Sequence, residues 1–149
     1  MKVTTLKKLR QIKSTELLLW IEACMLLAIA RFLVWAFPFK YWVKLIGESM
    51  STSRVHKQPK ISQEKRFRIA WAVKSAAYHV PWQALCLPQA MTAKWMLGFR
   101  GQSSKLYLGV KSGSNNGQGM AAHAWLSCCE GVITGGDVEQ EFVSVSHFI

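Results

Sequence analysis

The sequence predicts an α+β fold, helical through roughly its first hundred residues and ending in a small antiparallel sheet. Three observations predict it. Apolar residues recur three and four apart as far as Leu97. After Gly101 the pattern changes to period two, with Leu106, Leu108 and Val110 alternating with Lys105, Tyr107 and Gly109. Stretches of small, polar and turn-forming residues, 49–60 and 111–120, separate the patterned segments.

Composition narrows the function. The 149 residues suffice for about one domain, and half of them are apolar, which excludes a disordered chain. The net charge is +11, and most of it lies early: residues 1–60 carry eleven Lys/Arg against three Glu. No zinc-finger spacing, ribonucleoprotein-type aromatic motif or reading helix accompanies this excess, so nucleic acid is not an expected partner. Cys24, Cys86, Cys128 and Cys129 form neither a disulfide framework nor a C-x-x-C pair, so a structural zinc site is not expected and a reducing cytoplasm fits best.

Residues 1–48 form a basic and then apolar helical segment. Lys2, Lys7, Lys8, Arg10 and Lys13 precede Ser14, a helix cap with Glu16 in its first turn, and an apolar run follows from Leu17 to Phe39. The run resembles an export signal, but Glu22 interrupts it. With Arg31 it leaves residues 23–30 as the longest uncharged stretch, far short of the ~20 residues that span a bilayer. Glu22 and Arg31 point to opposite sides of one straight helix, so the segment is either two helices or one helix largely wrapped by protein, and Pro38 is a natural break. A buried helical layer is therefore expected. The alternative is a membrane-associated form making peripheral contact through residues 17–45, since Lys40, Tyr41, Trp42 and Lys44 mix bases and aromatics as interfacial helices do.

Residues 49–61 read as a linker that includes a solvated His56, and residues 62–149 as the working core. Ser62 caps a helix from about Gln63 to His79, on which Phe67, Ile69, Ala70, Val73, Ala76 and Ala77 recur at helical spacing, with Trp71 and Tyr78 as packing residues. Pro81 stops it. A second helix begins just after Cys86, with Pro88 in its first turn, and ends at Gly98 and Gly101. Ala121 to Cys129 alternate as a strand carrying His123, Glu130-Gly131 makes the turn, and Val132-Ile133 starts the return strand.

Cys86 and His123 are the candidate nucleophile and base. A thiol at a helix N-terminus lies at the positive end of the backbone dipole, which with a neighbouring imidazole favours the reactive thiolate. The competing reading, a buried and inert cysteine, is the commoner fate of that residue type. A base also needs an orienting carboxylate. The acids after His123 are Glu130, Asp137, Glu139 and Glu141. A two-residue Glu130-Gly131 loop would pair Cys129 with Val132 and His123 with Val138, so one extra residue, naturally at Gly135-Gly136, is needed to bring an acid opposite His123. Asp137 is the first choice and Glu139 the second; Glu130 is an exposed turn residue.

Several motifs together resemble a known family. Arg68-Ile69-Ala70-Trp71-Ala72-Val73, Val80-Pro81-Trp82, Cys86-Leu87-Pro88-Gln89-Ala90, Trp95-Met96-Leu97, Leu108-Gly109-Val110 and Ala122-His123-Ala124-Trp125 are similar to the stand-alone leader peptidase of lasso-peptide biosynthesis. The resemblance implies a transglutaminase-like (papain-like) cysteine-peptidase core behind an N-terminal helical segment. It implies removal of the leader from a ribosomally made precursor peptide, with a separate leader-recognition protein and a macrocyclase as partners and no metal or cofactor. Carried over, the nucleophile is Cys86, the base His123 and the carboxylate Asp137, with the Cys86 backbone N–H in the oxyanion hole and Trp82 and Gln83 near its second donor. His79 and His147 are structural or exposed. The rival readings are a transglutaminase-like scaffold that binds peptide without chemistry, and an acyl transferase using the same thiol.

Overall fold

The computed structural model describes residues 14–46, 61–111, 121–128, 131–136 and 143–148. Helices α1 (Ser14–Ala36), α2 (Phe39–Ile46), α3 (Gln63–His79) and α4 (Cys86–Gly98) precede strands β1 (Lys105–Lys111), β2 (Ala121–Cys128), β3 (Gly131–Thr134) and β4 (Val143–Phe148). The strands form one sheet in the order β3-β2-β1-β4, and the paired registers of β1 with β2 and β4, and of β2 with β3, are antiparallel. The α+β expectation thus holds, with the site-bearing strands β1 and β2 in the middle of the sheet.

Alternation on β1 and β2 explains how helix and sheet meet. Leu106, Ala124, Leu126 and Cys128 are buried in the core with Ala90, Met91, Ala93, Met96 and Leu97 of α4. Period two places Tyr107, Gly109, His123 and Trp125 on the opposite side of their strands. Helix α3 contributes Ile69, Ala72, Val73 and Ala76 to the same core, and Arg66 Nη1 donates to the Cys128 carbonyl at 3.3 Å, fastening α3 to β2. The Ser62 hydroxyl caps α3 as expected, accepting from Lys65 N–H. Phe67, Trp71 and Tyr78 differ from expectation: Phe67 is 72 % and Tyr78 87 % exposed, because the packed face of α3 is satisfied by smaller residues one or two positions away. His79 is exposed and bonds through Nδ1 to the Ser75 carbonyl.

Helix α1 corrects the expectation for the N-terminal segment. It runs unbroken for 23 residues to Ala36 and is long and apolar enough, by length and composition, to cross a membrane. Glu22 and Arg31 do not split it and protein does not wrap it, while the expected break at Pro38 falls between it and α2. Its buried residues are Ala23, Leu27 and Ala30, which join the core beside α3 and α4, while most of its bulky residues face outward. Glu22 does not interrupt the helix because Arg100 takes it up in a two-point ion pair at 2.7 and 3.0 Å. After Pro38, α2 folds back under Trp42 and Ile46, both buried, with Trp42 Nε1 donating to the Phe37 carbonyl at 3.1 Å.

The hairpin also differs by a residue. Cys128 faces Gly131 and Ser127 faces Val132, so β3 starts at Gly131 and Cys129 does not pair with Val132. Between Ser127 and Leu126 the register shifts, so that Leu126 faces Thr134. The extra residue expected at Gly135-Gly136 is therefore Ile133. The linker residues 49–60 with His56, residues 112–120, Cys129, Glu130, Asp137, Glu139 and Glu141 lie outside the described residues.

Candidate active site

Cys86 is the first residue of α4, not the residue before it. Leu85 is the N-cap in extended conformation and makes no side-chain cap; the first helical bond runs from Gln89 N–H to its carbonyl at 3.2 Å. The first-turn N–H groups of a helix have no intrahelical acceptor. Pro88 has no N–H, so the helix mouth carries two such donors, those of Cys86 and Leu87. The Gln89 side chain donates to the Ala84 carbonyl at 2.7 Å, bracing the turn that carries the thiol. The Cys86 residue is half-buried, accessible yet held.

His123 lies on β2 directly opposite Gly109 of β1. Its Nε2 is 2.9 Å from the Gly135 carbonyl oxygen. A carbonyl only accepts, so Nε2 carries the hydrogen and the lone pair of the neutral ring falls on Nδ1. Gly135 has φ +74°, and a Cβ there would sit 2.7 Å from the Ala124 carbonyl and 3.0 Å from His123 Nε2. Only glycine fits this contact. The imidazole is further oriented by Trp125, whose ring lies 6.1 Å away at 20°, and Trp125 in turn stacks on Tyr107 at 5.5 Å and 9°. Three rings therefore follow one another along the outer face of β2 and β1, fixing the imidazole plane.

Cys86 and His123 line one cleft of about 360 Å³. Leu87, Leu108 and Val110 make it apolar, while Gly109, Ala122 and Ala124 keep it open by their small size. The cleft is bordered by Cys86 at the head of α4 and by His123 of β2, whose imidazole stacks on Trp125. The cleft brings together two of the three residues expected from the sequence; the third, Asp137, lies outside the described residues. Sequence reasoning missed the Gly135 carbonyl, although the Gly135-Gly136 pair drew attention to that stretch, and it missed the stacking of Tyr107 on Trp125.

The model of the transglutaminase-like superfamily matches residues 33–147, most of the chain. The chain belongs to that superfamily. No curated protein and no solved structure matches it. The transglutaminase-like superfamily includes cysteine peptidases and acyltransferases and is often built around a cysteine catalyst. The transglutaminase-like match starts inside α1 and spans Cys86 and His123 together, so both cleft residues fall in the matched region.

Proposed function

We propose that the chain is a cysteine peptidase that removes the leader from a ribosomally synthesised lasso precursor peptide. One observation carries this reading: Cys86 at the head of α4 and His123 on β2 line a single cleft, with His123 Nε2 committed to the Gly135 carbonyl. The motif resemblance over residues 66–126 supplies the substrate class.

In this reading the Cys86 thiol gives its proton to the His123 imidazole and attacks the carbonyl at the leader–core junction. The tetrahedral oxyanion is met by the Cys86 and Leu87 N–H groups at the positive end of α4. The imidazolium protonates the leaving amine, the C–N bond breaks, and a thioester remains on Cys86. Water, deprotonated by His123, then hydrolyses it and restores the thiol. In this reading Asp137 supplies the carboxylate that stabilises the imidazolium, with Glu139 as the second choice.

A separate leader-recognition protein presents the precursor, and a macrocyclase closes the ring afterwards, in a reducing cytoplasm. The test is incubation of precursor peptide and leader-recognition protein with wild-type chain or Cys86→Ala, read by mass spectrometry. A single leader–core cut that gains one water, and that the variant does not make, supports the reading. Equal cutting by both chains would falsify it, and transfer of the acyl group to an amine would reassign the chain to acyl transfer.

A further inference from the structure

The outer face of α1 has no place in the chemistry of the cleft. A helix that is apolar all round is normally enclosed by protein or lipid, and this one exposes one whole side. At about 100° per residue, Ala23, Leu27 and Ala30 mark the packed side, and Glu22 and Arg31 fall on its two margins. Between the margins, on the open side, Leu18, Ile21, Met25, Ile29, Phe32 and Trp35 succeed one another with no charge among them. Trp35 is 78 %, Leu18 66 % and Met25 62 % exposed. The stripe is roughly 25 Å long at 1.5 Å per residue, and a continuous apolar surface of that extent marks a contact site.

The charges at its two ends indicate what it contacts. Before α1 come Lys2, Lys7, Lys8, Arg10 and Lys13 without an intervening acid. Beyond it, α2 brings Lys40 and Lys44 to the surface, with Lys40 Nζ 4.9 Å from the Tyr41 ring centre. Phe32 clusters with Trp35 and Phe37 at the same end. Arg68 and Arg100 are ion-paired with Glu64 and Glu22, whereas Arg31, Lys40 and Lys44 have no ion pair among the described residues. A bulky uncharged stripe bracketed by cations, with aromatic rings where the two meet, is the composition of a helix lying in the headgroup region of an anionic bilayer. Spanning is incompatible with the fold, because the other side of α1 is buried in the core and Glu22 is tied to Arg100.

We infer that the α1–α2 face seats the protein on an anionic lipid bilayer, with the stripe at the acyl boundary and Lys40 and Lys44 among the phosphates. The face borders the segment that leads to Cys86: a cavity of about 350 Å³ is lined by Ala28, Arg31, Phe32, Trp35 and Trp82, and Trp82 is four residues before Cys86. Arg31 at this cavity offers a cation to a lipid phosphate. Lipid binding does not depend on the peptidase reading, and its test is independent of cleavage.

The experiment is sedimentation of the full chain with vesicles of phosphatidylcholine alone or of equal parts phosphatidylcholine and phosphatidylglycerol. Binding to the anionic vesicles is expected to be roughly tenfold or more tighter, and to weaken in high salt. Phe32→Asp with Trp35→Asp should lower it by more than about tenfold, and Lys40→Glu with Lys44→Glu by roughly fivefold per cation removed. The charge-only pair keeps the test valid should the first variant fold poorly, and circular dichroism checks both. Absence of wild-type binding, equal binding to neutral vesicles, or retention of binding by both folded variants overturns the inference. So does loss of a stoichiometric complex with the leader-recognition protein in a variant whose wild-type parent ignores vesicles, which would make the face a protein interface.

Discussion

The Nε2–H of His123 donates to the carbonyl oxygen of Gly135 at 2.9 Å, and Gly135 offers that oxygen from a backbone conformation, φ +74°, that side chains disfavour. The tautomer of the candidate base thus rests on a glycine after an edge strand. Gly135→Ala would press a methyl group against the Ala124 carbonyl and Nε2. We expect it to cost about 1–3 kcal/mol of stability and to lower cleavage at least tenfold, the ordinary scale for a misplaced general base. A melt and a cleavage assay on the same preparation separate the two effects; unchanged turnover would show that the contact does not orient the base.

Cys86 and His123 should behave as a unit. An alkylating reagent such as iodoacetamide is expected to label Cys86 ahead of the buried Cys128, and peptide mapping reads the preference. His123→Ala should slow Cys86 labelling and abolish cleavage, and combining it with Cys86→Ala should add nothing further to the loss of cleavage.

The cleft is kept open by small residues. Ala122 is exposed at its wall, so Ala122→Phe fills substrate space with little strain on the core. KM should rise several-fold while the melting temperature stays within about 2 °C, the range of a surface substitution. A large fall in melting temperature would mean the position is structural.

Lys94 gives a pH signature unrelated to catalysis. It is buried on α4, its Nζ donates to the Ser104 carbonyl at 2.8 Å, and burial lowers its pKa to about 8 from the ordinary 10.5. Between those values the unfolded chain holds a proton that the folded chain has released, so stability rises with pH across the window of about 8 to 10.5. Below it both states are charged and the contribution is flat, at its least favourable. Comparing melts of wild type and Lys94→Met across this range isolates the term: the variant should lack that rise.

Arg100 joins α4 to α1. The pair with Glu22 is partly exposed, and Arg100 Nη1 also donates to the Met96 carbonyl at 2.7 Å. Arg100→Ala is expected to cost about 1 kcal/mol, less in high salt, measured by urea unfolding in low and high salt.

Most of the fold was legible because local chemistry and tertiary packing agree over much of it. Ser62 caps α3, Pro88 sits in the first turn of α4, and period two after Gly101 becomes β1. The N-terminal segment was misread because burial was inferred from apolarity. On α1 the fully buried residues are only Ala23, Leu27 and Ala30, and the charges that argued against one amphipathic helix lie on the margins of its packed face. The hairpin was misread by one residue because nothing in the sequence between Cys128 and Gly131 distinguishes two turn registers of equal length. The Gly135 carbonyl was illegible in principle: a backbone acceptor has no side chain to announce it.

The order of the strands has a consequence for how function would be lost on heating. β1 and β2 are interior, and Gly109 opposite His123 is itself paired with Ser144 of β4, whereas β3 is a four-residue edge strand. Edges fray before centres. Departure of β3 takes the Gly135 carbonyl with it while the cleft floor and its core stay intact. Inactivation should therefore precede melting, and hydrogen exchange should find the amides of β3 open in molecules whose β1 and β2 are still protected.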